Sequence, residues 1–443
     1  MTTDGPVAPA PPTQRPASVS LRPLLLRLHF YAGVLVGPFL LVAALTGLLY
    51  VFTPQLEDAI YDHELHVPAA TAAQPLSTQV AAAQAALPGG TLVKIRPAPS
   101  ATDTTQVLFS VPGLGESYSR TVFVNPHDNE IRGILDTYGS SQALPLRAWL
   151  DQLHRNLDLG DFGRLYSELA ASWLWVVVLG GLVLWWTGRR RGTTTRARVR
   201  SRHATTGTVV AVVLLFLSAT GLTWSQFAGE NITDLRSALS WETPAVSGTA
   251  EHHDGGHVGA GAAAVTISPD AALAAARAVG LSDPVELTVP AKAGKAYVVK
   301  QTGRSWPSKQ DSAAIDPSTG HVTEVLRFAD YPLMAKLARW GIDAHMGLLF
   351  GLPNQILLAA VCLGLVTIIC WGYRMWWLRR PTRGFGRPYP RGSLRKLPAR
   401  MLPLAVCALA VGWFLPVFGV SLLAFLLLDL AQAARARLTT SAA

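Results

Sequence analysis

The sequence predicts a mainly α-helical integral membrane protein built from two sister halves. Each half is a pair of transmembrane helices enclosing an extracytoplasmic α+β domain, and a C-terminal membrane segment follows. Three observations predict this. First, half of the 443 residues are hydrophobic, yet the net charge is +10, which suits apolar spans joined by basic loops. Second, apolar stretches near residues 30–53, 166–187, 205–227 and 350–373 each approach the ~20 residues that a bilayer requires. Third, motifs recur at fixed intervals. His29 precedes Thr46-Gly47 by 17 residues, and His203 precedes Thr220-Gly221 by 17. Pro126 and Pro317 precede His154 and His345 by 28, and those histidines precede Trp186 and Trp377 by 32. Such matched intervals mark a duplication, and duplicated membrane units often face each other across a pseudo-two-fold axis.

Taken in order, residues 1–23 are a tail rich in Pro, Ala, Ser and Thr, expected to be disordered. They lack the layout of a cleaved signal peptide, because Arg22 and Arg27 directly precede a full-length span. The first transmembrane helix is placed at 24–57. Residues 58–142 form the first outer domain, with a helix from Ser77 to Leu87 capped by Ser77. Alternating strands at 91–96, 105–111 and 119–125 end at the Asn125-Pro126 turn. An amphipathic segment and the second helix occupy 143–188, a basic loop 189–203, and the third helix 204–230. The second outer domain, 231–330, has a helix opened by Ser268-Pro269-Asp270. Strands at 284–289, 296–301 and 311–315 follow, then a turn at Asp316-Pro317-Ser318-Thr319-Gly320. Residues 331–378 repeat the amphipathic segment and span, and 379–400 form a second basic loop. The membrane segment 401–432 contains Pro416 and Gly419, so it is either one kinked helix or a pair of short helices turning back. Residues 433–443 are a tail whose Arg435 and Arg437 favour the cytoplasm. The basic loops and the N-terminus belong inside and both domains outside, in the cytoplasmic membrane of a bacterium.

Several function classes are excluded. Cys362, Cys370 and Cys407 all lie in apolar segments, so they make neither a disulfide framework nor a thiolate metal site. There is no Walker loop, dinucleotide fingerprint, hydrolase triad or HExxH motif. Nothing points to nucleic acid. The second half is longer than the first between its matching histidines, 142 residues against 125. The extra length coincides with 246–262, a loop rich in Gly and His. There His252, His253 and His257, with Glu251 and Asp254, either take a metal such as zinc or form a solvated loop.

These motifs resemble the PepSY-associated transmembrane proteins of bacteria over residues 24–378. The resemblance rests on Leu28-His29-Phe30-Tyr31-Ala32-Gly33 leading to Thr46-Gly47, on the turns Val124-Asn125-Pro126 and Ile315-Asp316-Pro317, and on Leu153-His154-Arg155-Asn156-Leu157. It also rests on Gly181-Leu182-Val183-Leu184-Trp185-Trp186 at the end of the second span. The resemblance implies PepSY-like outer domains and an inner-membrane protein similar to ferric-siderophore reductases and iron-uptake factors. It further implies haem b held by histidines and electrons passed to Fe(III) outside. The chain departs from the pattern at His345-Met346-Gly347, where the first half has His154-Arg155.

The residues themselves fit one or two haems. Electron-transfer haem takes two axial ligands, and helix bundles supply such pairs from inward-facing side chains. His29 and His203 are sister residues at the cytoplasmic starts of their spans. Gly33 and Gly207 lie one turn further on, on the same helix face, and leave room for a flat macrocycle. His154 and His345 are sister residues at the outer boundary, with Gly160 and Gly351 six residues on. One pair inside and one outside would make a ladder across the bilayer, although duplication preserves spacing with or without ligation.

The neighbouring residues have plainer readings. Thr46 and Thr220 read as helix-packing residues. Trp173, Trp175, Trp185, Trp186, Trp376 and Trp377 read as interfacial belts. Arg189, Arg190, Arg379 and Arg380 are candidates for haem propionates, and Glu168 for an outer-edge carboxylate. His63, His66, His127 and His321 read as turn residues. The expected function is a haem-containing oxidoreductase, acting as a ferric-chelate reductase. Its partners would be membrane lipid, a separate donor (a quinol, or a reduced flavin or reductase) and a ferric chelate as acceptor. The alternative is a non-enzymatic PepSY sensor or regulator that binds an envelope peptide or protein.

Overall fold

A computed structural model describes residues 22–70, 72–188, 193–248, 266–292, 294–379 and 402–441. Among them, four helices are long and apolar enough to cross a membrane: α1 (Arg22–Val51), α6 (Gly160–Thr187), α7 (Thr195–Leu222) and α11 (Leu352–Arg379). α1 packs on α6 and α11, and α7 packs on the same two, which closes a four-helix ring. Pro38 interrupts α1, and a proline cannot donate to the carbonyl four residues back. That carbonyl, on Val34, instead accepts from the Tyr373 hydroxyl of α11 at 2.9 Å. Gly37 makes room, since a β-carbon there would lie 3.1 Å from Tyr373 Oη.

The α/β units form one sheet. Its strands are β1 (Thr91–Arg96), β2 (Thr105–Ser110), β3 (Tyr118–Val124), β4 (Ile131–Tyr138), β5 (Val285–Thr288), β6 (Tyr297–Gln301), β7 (Ser312–Ile315) and β8 (Val322–Leu326). The order β4-β3-β2-β1-β5-β6-β7-β8 is antiparallel throughout and symmetric about the β1/β5 seam. Across the seam Ile95 stands opposite Leu287. Both belong to an apolar core with Val107, Val122, Val299 and Ala313, covered by Leu76 and Val80 of α4 (Leu76–Ala86) and Leu273 of α9 (Pro269–Ala278). Because side chains alternate along a strand, Lys94, Arg96, Glu286 and Lys300 occupy the other face.

The remaining helices are α2 (Thr53–Ile60), α3 (Asp62–Leu65), α5 (Pro145–Asn156), α8 (Phe227–Ala238), α10 (Leu333–His345), α12 (Leu402–Phe414) and α13 (Pro416–Ser441). α5 and α10 are sister helices that lead into spans α6 and α11. Gly160 and Gly351 open those spans at φ of +59° and +58°, a left-handed conformation that glycine adopts without a steric penalty.

Several expectations need correction. Within the expected bounds each domain has a fourth strand after its Asx-Pro turn, β4 and β8, and the two expected domains share a single sheet. Ser77 is not the cap of α4. Pro75 stands there, and the amides of Leu76 and Ser77 donate to the Asp270 carboxylate of the other half, at 2.6 and 3.0 Å. Ser268 does cap α9, accepting from Ala271 N. The insertion begins as docked chain, because Val246 is buried and Ser247 donates to Glu324.

Trp173 is not interfacial either. It is buried, and its indole donates to Ser421 of α13. The last segment breaks at Leu415, and Gly412 and Gly419 let α12 and α13 approach closely. α13 then reaches α1, where Asp429 pairs with Arg27.

Candidate functional site

The four sister histidines gather as two pairs. At the end of the bundle away from the sheet, the His29 and His203 rings lie 6.1 Å apart between centroids, with perpendicular planes. His29 Nδ1–H donates to the carbonyl of Val177 on α6, and His203 Nδ1–H donates to that of Ile368 on α11, both at 3.0 Å. A carbonyl only accepts, so the proton sits on Nδ1 and the Nε2 lone pair remains for a metal. One turn beyond each acceptor is a glycine. A β-carbon on Gly181 would lie 3.1 Å from His29 Cε1, and one on Gly372 would lie 3.7 Å from His203 Cε1.

At the sheet end, His154 and His345 line one cavity of about 450 Å³ between the spans. His154 Nδ1–H donates to Thr46 Oγ1 at 3.0 Å, and His345 Nδ1–H donates to Thr220 Oγ1 at 2.6 Å. Each threonine directs its own proton to the carbonyl four residues back, Val42 or Phe216, at 2.8 Å. The hydroxyl is therefore an acceptor for the histidine, and Nε2 is again the free nitrogen. Burial holds His154 below the usual imidazole range. Burial and the neighbouring His154 push His345 down to about 3. Both rings are neutral at pH 7, the form that binds metal. The Trp224 ring stands edge-on to His345 at 5.3 Å.

The spacing of the first pair leaves room for one metal ion between the two imidazoles. Two metal–imidazole bonds of about 2 Å, plus the two ring radii, come to roughly the spacing of the first pair. Gly33 and Gly207 both face open space, with nothing within 4 Å of an added β-carbon. The cavity is walled by Phe39, Leu40, Leu174, Leu214 and Leu358 and reached by Arg155, Arg164, Arg304 and Arg339. Apolar walls with cations at one end suit a flat apolar ring bearing carboxylates.

Other candidates take plainer roles. Glu168, fully buried, accepts from the amides of Phe227 and Ala228 at 2.9 Å and so caps α8. His127 bridges the carbonyls of Ala72 and Ala101, and His66 lies 3.3 Å from Asp103. His63 accepts from Arg132. Arg379 lies over the Phe30 ring at 4.7 Å. His252, His253 and His257 fall outside the described residues, as do Arg189, Arg190 and Arg380. Among the described residues, no group of three or more His, Cys, Asp or Glu gathers around a metal position.

Sequence reasoning missed the acceptors of the four Nδ1–H groups. It read Thr46 and Thr220 as packing residues, although each stands at a matched repeat position. Gly181 follows His154 by 27 residues and Gly372 follows His345 by 27, so the matched spacing also marked them.

The PepSY-associated transmembrane region profile matches residues 26–379. The chain belongs to the PepSY-associated transmembrane family. Among curated proteins none matches it. Family membership agrees with a multi-pass membrane protein bearing an antiparallel sheet. For this PepSY-associated protein the match covers both histidine pairs and ends at Arg379, short of α12 and α13.

Proposed function

We propose that this protein is a haem-containing membrane oxidoreductase that passes electrons across the bilayer to an acceptor on the sheet side. The observation that carries this reading is the state of the four imidazoles. Sister halves contribute one histidine each to two pairs, and every Nδ1–H is committed to a fixed acceptor. A hydrogen bond to the second ring nitrogen fixes tautomer and orientation and raises the basicity of the first. Two haems b would be held, one by His29 and His203 and the other by His154 and His345. When bound they would supply reversible one-electron chemistry.

The protein's own residues do the rest. The spans exclude water, the histidines would hold the haems, and Arg155 and Arg164 line the cavity where propionates would lie. With the basic loops in the cytoplasm, electrons would enter near His29 and His203 from a quinol or a reduced flavin partner. They would leave near His154 and His345 to a ferric chelate such as a siderophore complex.

The test is haem content and the reduced-minus-oxidised spectrum of protein purified from haem-sufficient cells. This reading expects two haems per chain and reoxidation of the reduced protein by ferric chelate. A colourless protein would favour a PepSY sensor that binds an envelope peptide or protein.

A further inference from the structure

The face of the sheet that looks toward the spans carries more positive charge than its own carboxylates balance. At the seam Glu286 is shared by Lys94 and Arg96, both at 2.7 Å. The next strand sets Lys300 directly across from Glu286. From the other side Arg304 and Arg339 share the buried Asp343, at 3.2 and 2.9 Å. Five cations thus meet two carboxylates. Nearby carboxylates are engaged elsewhere, because Glu57 pairs with Arg147 and Glu168 accepts from the amides of Phe227 and Ala228.

Lys300 shows the effect of this surplus. It is exposed and stands across from Glu286, which already accepts from Lys94 and Arg96. Desolvation by its surroundings and the adjacent Arg339 hold its ammonium below the usual lysine range; Glu286 opposes the effect, and Lys94 and Arg304 add to it. Burial and Arg339 also push Arg304 down to about 10. Two cations disfavoured by their neighbours mark a place of positive potential, which a walled site focuses.

The same cations border the histidine cavity. Arg304 and Arg339 line it, and Arg96 donates to the carbonyls of Ser140 and Ser141, which also line it. We propose that this seam face is a binding site for a small, multiply negative carboxylate chelate, held by Lys300 with Lys94, Arg96, Arg304 and Arg339 at the mouth of the His154/His345 cavity. Its role as the docking place of the electron acceptor rests on the redox reading above. Binding of the anion does not. Carboxylate could also come from haem propionates, and the test separates the two sources.

The full-length protein is titrated by calorimetry with gallium(III) citrate, which is redox-inert, and with hexaamminecobalt(III) as a cationic control. The account expects citrate-chelate binding that weakens as salt rises, and no binding of the cation. Lys300→Glu should weaken chelate binding at least about tenfold, and Lys300→Arg should retain it. Haem per chain is measured on the same samples and should be equal in all three proteins. Chelate binding absent from the wild type, or unmoved by Lys300→Glu, overturns the proposal. So does a loss of haem without a loss of chelate binding, which would assign the cations to propionates. A haem-free protein that still binds the chelate through Lys300 supports the anion site and removes only the redox reading.

Discussion

The two ends of the bundle solve one problem in two ways. Away from the sheet, His29 and His203 donate to main-chain carbonyls of the neighbouring spans. At the sheet end, His154 and His345 donate to threonine hydroxyls on α1 and α7. A carbonyl comes with any residue, so the first arrangement depends only on helix packing and on the glycines that let each ring approach. A hydroxyl belongs to one side chain, so the second depends on Thr46 and Thr220. The first pair is therefore tuned by backbone placement and the second by side-chain identity.

The largest expected effect breaks the comparison at the ligands. His29→Ala or His203→Ala should leave about one haem per chain, and His154→Ala or His345→Ala should leave the other one, as read by haem-to-protein ratio and spectrum. If single variants at both ends lose the same haem, the two-site assignment is wrong. Next, Thr46→Val or Thr220→Val should weaken haem retention at the sheet end alone, by roughly 10–100-fold as for lost outer-shell partners. Competition by apomyoglobin measures this, and an equal loss at both ends would erase the distinction drawn here.

The legibility of the sequence followed the same division. Spans, sister histidines and the first three strands of each half could be read because periodicity and motif spacing are local properties. The fourth strands were missed for local reasons too. β4 follows a turn that looks terminal and contains Gly133, where a β-carbon would lie 2.6 Å from Glu64 Cγ. The seam was missed because it pairs strands almost 200 residues apart through only two register positions, Lys94 with Thr288 and Ile95 with Leu287. Asp270 was seen only as part of its own helix start, whereas it also caps α4 of the other half.

That seam supplies smaller tests. Asp270→Ala should lower the stability of the sheet by about 1–2 kcal/mol, the scale of a lost helix cap, as measured by denaturant unfolding in detergent. The carboxylate is held below its ordinary pKa by hydrogen bonds from the Ser77 side chain and from the amides of Ser77 and Leu76, which outweigh burial. Its contribution is therefore present above the unfolded carboxylate pKa of ~3.9 and lost as pH falls through the lower folded value. His127 should give the smallest effect, with opposite sign. Hydrogen bonds to the Ala72 and Ala101 carbonyls raise its pKa. Its contribution is full below the unfolded value of ~6.5 and lost as pH rises through the folded one. The pH dependence of thermal unfolding should flatten in His127→Gln.

The central claim is that sister imidazoles share iron porphyrins at both ends of the bundle. Electron paramagnetic resonance on the oxidised, purified protein, quantified against chain concentration, tests it most directly. Two low-spin ferric centres per chain with bis-imidazole signatures, one lost in His203→Ala and the other in His345→Ala, are the predicted result. A spectrum with no low-spin haem, or one unchanged by both substitutions, would contradict the account.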